Sequence, residues 1–86
     1  MKKNQVKNEF LVLSALSDGP KHGYAINQWV HQKSKEVFSV SAGILYPLLH
    51  HLENEEMIRA EWEASTTGPQ RKIYALTPRG RKYLTQ

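Results

Sequence analysis

The sequence predicts a mainly α-helical fold with one small β-hairpin, an α+β arrangement in the order α-α-α-β-β-α. Three observations lead to this prediction. Apolar residues recur at helical spacing in three early segments, apolar and charged residues alternate in a later one, and turn-forming residues separate these segments. A chain of 86 residues has room for only one core. We therefore expect residues 1–86 to form a single domain, with a short last helix from about residue 78 and no separate effector domain.

Two helices are predicted in the first third of the chain. The first runs from about Asn4 to Ser17, because apolar residues recur there at helical spacing and Gly19-Pro20 then ends the segment. Its apolar positions are Val6, Phe10, Leu13 and Leu16, and there are enough of them to serve a dimer partner as well as a core. The second helix begins near His22 or Gly23, and its apolar side consists of Tyr24, Ala25, Ile26, Trp29 and Val30.

The third predicted helix, Ser41 to Glu53, has two different faces. At about 100° per residue, one face carries only large apolar residues and requires a core: Ile44, Leu45, Leu48, Leu49 and Leu52. The other face lacks the charged residues typical of a solvent-facing helix, and consists of Gly43, Tyr46, Pro47, His50 and Asn54. Ser41 is a candidate N-cap. Pro47 removes one helical hydrogen bond, so we expect a bent helix and not a broken one.

A hairpin and a short helix are predicted to complete the chain. One strand alternates, with Ile58, Ala60, Trp62 and Ala64 on its inward side. Its mate runs from Arg71 to Thr77, and the turn-rich segment Ser65 to Gln70 joins the two. Thr77 and Pro78 are suited to the N-cap and N1 positions of the last helix. The extended, β-branched segment Val37–Val40 is a candidate third strand.

Charge is unevenly distributed along the chain. The net charge is +4 and the pI is near 9.5, yet the middle is acidic, with Glu53, Glu55, Glu56, Glu61 and Glu63. After Glu63 there is no acid, while five basic residues follow. This segregation favours a polyanionic partner over an ordinary solvated surface.

Composition excludes several classes of protein. The absence of cysteine rules out a disulfide framework and a thiolate zinc site, and is typical of a protein in a reducing cytoplasm. No apolar run approaches the roughly 20 residues that span a bilayer, so no membrane partner is expected. Adjacent His50 and His51 point about 100° apart on a helix and cannot easily bind one metal. Neither a nucleophile–base constellation nor a phosphate loop is present, so no enzyme activity and no cofactor are predicted.

This order of elements is typical of a winged helix-turn-helix domain that binds double-stranded DNA. The uncharged helix face suits a major groove about 12 Å wide, the start of the second helix suits a phosphate, and the hairpin, or wing, suits backbone or minor-groove contact. The candidate DNA contacts are Lys21, His22, Tyr24, Ser39, Ser41, Gly43, Tyr46, Pro47, His50, Thr66, Thr67, Gly68, Gln70, Arg71 and Lys72.

Three alternatives remain open. Tyr46 is also suited to a half-buried core position, and Arg71 with Lys72 to a plain charged strand face. A winged-helix module that binds protein, through the acidic middle segment and the apolar first helix, is the main alternative function. Salt dependence separates the two functions, because phosphate neutralisation releases counterions whereas an apolar interface does not.

Four motifs follow one another between about Phe10 and Leu84: His22-Gly23-Tyr24, Gly43-Ile-Leu-Tyr-Pro-Leu-Leu49, Leu52-Glu53, and Arg71-Lys-Ile-Tyr-Ala-Leu-Thr-Pro-Arg-Gly80. In this order and spacing they resemble the PadR family of bacterial transcriptional regulators. The resemblance implies a homodimeric DNA-binding regulator, usually a repressor, that acts on an inverted-repeat operator.

The chain departs from this family at two points. The family usually has a glycine after the Leu-Glu helix, where this chain has Glu56. We therefore expect either a left-handed non-glycine residue there or a longer helix. We also expect no counterpart within these 86 residues of the long C-terminal helix that carries dimerisation in family members and often helps to form an effector pocket. The mode of dimerisation and any small-molecule effector are therefore left unassigned.

Overall fold

The computed structural model describes residues 2–33, 41–64, 68 and 70–85, with side chains from residue 7 onward. Four helices and three short strands follow in the order α1 (Lys2–Ser17), β1 (Lys21–His22), α2 (Gly23–Lys33), α3 (Ala42–Asn54), β2 (Ile58–Glu63), β3 (Arg71–Leu76) and α4 (Pro78–Thr85). The predicted fold class and the α-α-α-β-β-α order are confirmed, and the structure adds β1 before α2. None of the described helices has the length and hydropathy needed to cross a membrane.

The strands form one antiparallel sheet in the order β1-β3-β2. The hairpin pairs run from Ile58 with Leu76 to Glu63 with Arg71, and β1 pairs Lys21 with Tyr74. The candidate strand Val37–Val40 lies outside the described residues. No sequence pattern predicts β1, because a two-residue strand is too short to show alternation.

One apolar cluster lies between the helices and the sheet. Its buried residues come from α1, α2, α3 and the two hairpin strands: Val12, Leu13, Ala15, Leu16, Ile26, Val30, Leu45, Leu48, Leu49, Leu52, Ile58 and Tyr74. The four leucines of α3 are all buried, so the predicted apolar face of this helix is confirmed at these four positions. Trp29, Leu76 and Tyr83 pack against the cluster from its margins.

Four residues that the sequence assigned to apolar faces are instead exposed. Phe10, Ile44 and Trp62 are 51%, 53% and 63% exposed, and Tyr24 is 72% exposed. The buried stripe of α1 follows Val12, Leu13, Ala15 and Leu16, which places Phe10 outside it. Ile44 lies about 90° from the centre of the leucine face, at its edge. Trp62 is on the inward side of β2 but beyond the end of the core.

The ends of α3 are held by backbone geometry and by α4. Ser41 is the N-cap, as predicted, although its side chain makes no capping hydrogen bond, and the helix continues unbroken through Pro47. After the helix, Glu56 adopts a left-handed φ of 60°, which is the first of the two expected solutions. The Thr77 hydroxyl donates to the Glu56 carbonyl at 2.6 Å, so the start of α4 is tied to the end of α3.

The predicted cap of α4 is confirmed. The backbone N–H of Gly80, at the third helical position, donates to the Thr77 hydroxyl oxygen at 3.0 Å, and Pro78 occupies the first position. Gly80 also lies directly against the Met57 carbonyl. The close approach of α4 to this carbonyl therefore requires a residue without a side chain.

Candidate nucleic-acid interface

The outer face of α3, formed by Gly43, Tyr46, Pro47, His50 and Asn54, is solvent-exposed along its whole length. Between Ser41 and Leu52 the helix carries no aspartate, glutamate, lysine or arginine. Because nothing on this face is a long charged side chain, its backbone can approach a large partner closely. Ile44 adds an apolar side chain at one edge of the face.

A cleft separates α3 from the wing, which is the hairpin of β2 and β3 with its connection. The volume of the cleft is about 360 Å³, and it combines aromatic and basic side chains at the start of α2, on α3 and on the hairpin. The lining residues are His22, Gly23, Tyr24, Tyr46, Trp62, Arg71, Lys72 and Tyr74. Five of the predicted DNA contacts therefore lie together: His22, Tyr24, Tyr46, Arg71 and Lys72.

Tyr46 is positioned by Gly23, the first residue of α2. A Cβ atom on Gly23 would lie 2.8 Å from the Tyr46 hydroxyl oxygen and 3.0 Å from its Cε1. The ring therefore occupies the space that a side chain at position 23 would need. Since Tyr46 is 50% exposed, this contact orients the ring while leaving its other side open to the cleft.

Lys21 is directed toward α1 and away from the cleft. Its Nζ donates to the Ala15 carbonyl at 2.8 Å and lies 3.7 Å from an Asp18 carboxylate oxygen. These are the open carbonyl end of α1 and an adjacent acid, a favourable place for a cation. The lysine that the sequence assigned to a phosphate therefore caps a helix in the described structure.

Two further basic side chains near the cleft are paired with acids. His22 Nε2 lies 3.3 Å from Glu63 Oε1, and Lys72 Nζ lies 3.8 Å from Glu53 Oε1. Lys72 Nζ also lies 5.5 Å from the centre of the Trp62 ring, its cross-strand partner. Both pairs connect separate elements, and the Lys72–Glu53 pair reduces the positive charge that the cleft presents.

Arg71 differs from these three residues. Its cross-strand partner is Glu63, whose carboxylate is directed to His22 instead. Within the described part of the chain, no ion pair involves the exposed Arg71 guanidinium. Arg71 is thus the cleft cation that is available to an anionic partner.

Tyr74 closes the cleft on the core side. Burial raises the pKa of its phenol above the ordinary value of 10.0, and the charges of Glu53 and Tyr46 raise it further. The phenol is therefore neutral at physiological pH. Its 5% exposure identifies it as a core residue that borders the cleft.

The remaining predicted DNA contacts lie on α3, on the wing connection or outside the described residues. Gly43, Pro47 and His50 lie on the outer face of α3, and Ser41 is exposed at its start. Gly68, with a positive φ of 80°, and Gln70 are exposed on the wing connection. Ser39, Thr66 and Thr67 lie outside the described residues. In the described ranges, no cluster of three or more acidic, histidine or cysteine side chains could hold a metal ion.

Sequence reasoning missed two residues of the cleft region. Trp62 was assigned to the core, and Glu53 was treated as part of an acidic segment. The hairpin register contained a signal for the first, because Trp62 and Lys72 are cross-strand partners and such pairs share a face. Glu53 had no comparable signal, since its partner comes from another element.

Comparisons with known proteins agree with this architecture. Residues 12–86 match the family described as the transcriptional regulator PadR-like family. A PadR-like transcription factor from Bacteroides fragilis has 32% sequence identity and a TM-score of 0.86, over 98% of this chain and 79% of that one. Bacillus subtilis PadR, solved in complex with operator DNA, has 26% identity and a TM-score of 0.80, over 90% of this chain and 44% of that one.

Curated relatives extend the comparison. A transcriptional regulator of Mycobacterium tuberculosis is 36% identical over 76 residues, which are 87% of this chain and 66% of that protein. A protein encoded in a Streptomyces fradiae transposon is 41% identical over 76 residues, and there the chain spans only 20% of the relative's length.

Fold and site thus define a winged helix-turn-helix protein with an uncharged helix face beside a basic, aromatic cleft. The match over residues 12–86 makes the assignment specific: the chain belongs to the PadR-like family of transcriptional regulators. This family consists of regulators and not of enzymes.

Proposed function

We propose that this protein binds double-stranded DNA as a homodimeric repressor at an inverted-repeat operator. The observation that carries the proposal is the exposed, uncharged outer face of α3 beside the exposed guanidinium of Arg71. The first feature suits base edges in the major groove, and the second suits phosphates. The operator complex of Bacillus subtilis PadR, a protein of similar fold, supports this function.

In this proposal α3 lies in the major groove, with Gly43 as the point of closest backbone approach. Tyr46 and His50 contact base edges or adjacent phosphates, and Ile44 supplies an apolar contact for a thymine methyl group. One strand of the DNA backbone then passes over the cleft, where the start of α2 and Arg71 contact phosphates. Thr66, Thr67, Gly68 and Gln70 carry the wing contact.

Dimerisation is supported by the first helix. Phe10 is 51% exposed on α1, and in this proposal a second copy of the chain covers it, which removes its apolar ring from water. A two-fold symmetric dimer presents two copies of α3, which matches two half-sites about one helical turn apart. A small-molecule effector forms no part of this proposal.

Selection of bound fragments from a pool of random duplexes tests the proposal. We expect one enriched motif with two-fold symmetry and half-sites spaced by about 10 base pairs or a multiple of that. Transcription from a promoter that contains the motif should then fall when the protein is added. An enriched motif without symmetry would contradict the homodimer, and failure to enrich any motif would favour the protein-binding alternative.

That alternative has less support in the described structure. Two acids of the middle segment, Glu53 and Glu63, are paired with Lys72 and His22 of the same chain. They are therefore less available to a basic protein partner than the sequence suggested.

A further inference from the structure

Glu53 occupies a position that the proposed DNA contacts do not explain. It lies in the last turn of α3, seven residues after Tyr46, so the two side chains leave the helix in nearly the same direction. Tyr46 lines the cleft, and Glu53 therefore places a carboxylate at the edge of a surface that should attract phosphate. A carboxylate in this position repels phosphate and so opposes DNA binding, unless a cation of the same protein neutralises it.

Glu53 forms an ion pair with Lys72. The two charged groups lie 3.8 Å apart, and their side chains are 33% and 35% exposed. A pair with this exposure and distance is weak, because water screens the two charges. A phosphate oxygen, which accepts strong hydrogen bonds from lysine, can therefore displace the carboxylate.

Lys72 would keep its place without Glu53. Its Nζ lies 5.5 Å from the centre of the Trp62 ring, a distance at which the ring attracts a cation. The backbone of Lys72 is also fixed by its pairing within the hairpin. Removal of the Glu53 charge thus leaves a positioned lysine with one more unit of uncompensated positive charge at the cleft.

We propose that Glu53 is an intramolecular competitor of DNA phosphate, which holds Lys72 neutralised and lowers the affinity of the cleft for DNA backbone. This inference rests on the proposed DNA-binding function. Nonspecific binding comes almost entirely from phosphate attraction, so the Glu53–Lys72 pair limits how tightly the protein is retained on DNA of any sequence.

The test compares Glu53→Gln with Glu55→Gln. Both substitutions remove one negative charge near the end of α3, but Glu55 is exposed and has no ion pair among the described residues. Binding to a random-sequence duplex is measured between about 50 and 300 mM salt. We expect Glu53→Gln to bind about three- to tenfold more tightly at the lowest salt and to steepen the salt dependence by about one unit. Glu55→Gln should change both quantities much less.

A double-mutant cycle with Lys72→Gln identifies the partner. The gain from Glu53→Gln should disappear when Lys72 is already replaced, because no lysine is then released. Glutamine has nearly the shape of glutamate, and thermal unfolding followed by circular dichroism confirms that each variant is folded. The inference is overturned if Glu53→Gln behaves like Glu55→Gln, binds more weakly than the parent, or keeps its gain without Lys72.

The outcomes also separate this inference from the function on which it rests. A parent protein that binds no duplex even at the lowest salt would overturn both. A parent that binds DNA, together with equal effects of Glu53→Gln and Glu55→Gln, would overturn only the role of Glu53.

Discussion

The two ends of the β2–β3 hairpin follow the same alternating pattern, but Ile58 at one end is buried and Trp62 at the other is exposed. At the core end, Ile58 and its partner Leu76 pack in or against the apolar cluster, and Ile58 is 2% exposed. At the wing end, Trp62 and its partner Lys72 lie on the same face of the sheet, yet Trp62 is 63% exposed.

The difference arises from what covers each end. The core end lies under α3 and beside α4, where the Met57 carbonyl contacts Gly80 and Thr77 ties α4 to the end of α3. At the wing end, the same face of the hairpin borders the open cleft. One continuous hairpin therefore stabilises the fold at one end and is free to bind a partner at the other. Substitutions should separate the two roles.

The largest effect is expected at the core end. Gly80→Ala places a methyl group against the Met57 carbonyl and within 2.9 Å of Leu76 Cδ1, and neither the backbone nor this packed side chain can move away easily. We expect a loss of about 1–3 kcal/mol in the free energy of unfolding, or roughly 5–20 °C in Tm for a domain of this size. Thermal unfolding of the variant and the parent measures this loss of stability.

Gly43→Ala is the matched control, because a Cβ atom at Gly43 meets nothing within 4 Å. Alanine is the better helix former by about 0.5–1 kcal/mol, so this variant should be at least as stable as the parent. It should nevertheless bind the operator more weakly, since the added methyl group lies on the outer face of α3. Equal stability losses at Gly80 and Gly43 would show that the close approach of α4 is unimportant.

The second effect concerns sequence recognition on α3, across the cleft from the wing. We expect Tyr46→Ala and His50→Ala each to weaken operator binding by about 1–2 kcal/mol, roughly five- to thirtyfold. Both side chains are exposed, so the melting temperature should change little. Titration of the selected operator measures the loss. The control is His51→Ala, because the His51 imidazole Nε2 lies 4.0 Å from Glu9 Oε1 of α1. Wild-type affinity in both variants would contradict the proposed orientation of α3.

The third effect concerns the sequence-independent attraction between the wing end and DNA phosphates. Arg71→Ala should weaken binding to all duplexes by a similar factor, about tenfold at low salt, and should lower the salt dependence by about one unit. Arg81→Ala, an exposed cation on α4, controls for the change in net charge. An unchanged salt dependence in Arg71→Ala would remove this residue from the phosphate contacts.

Local sequence signals predicted most of the fold. The leucine face of α3, the Thr77–Pro78 start of α4 and the limits of the hairpin follow from periodicity and capping chemistry, which act over a few residues. The exposure of Trp62 could not be predicted in this way. Alternation identifies the face of a strand on which a residue lies, but the other elements of the fold determine how far along the strand that face stays covered.

The pairing of charges at the site could not be predicted from the sequence either. Lys21 and Lys72 form ion pairs with Asp18 and Glu53, and His22 contacts Glu63. The contacts of His22 and Lys72 join separate elements. A count of basic residues therefore overstates the attraction available to DNA. Only the folded arrangement distinguishes Arg71 from its neighbours.

The smallest effect is expected at Tyr74, on the boundary between the core end and the wing end. Its pKa in the folded protein is raised above 10.0 by burial, by Glu53 and by Tyr46, so the unfolded chain ionises first as the pH rises. The contribution to stability is complete below about pH 10 and is lost above it, as the pH passes through the raised pKa. We expect the free energy of unfolding to fall less steeply above pH 10 in Tyr74→Phe than in the parent. Denaturant titrations measure this slope, with the exposed Tyr24→Phe as control. Equal slopes in all three proteins would show that ionisation of Tyr74 is not coupled to folding.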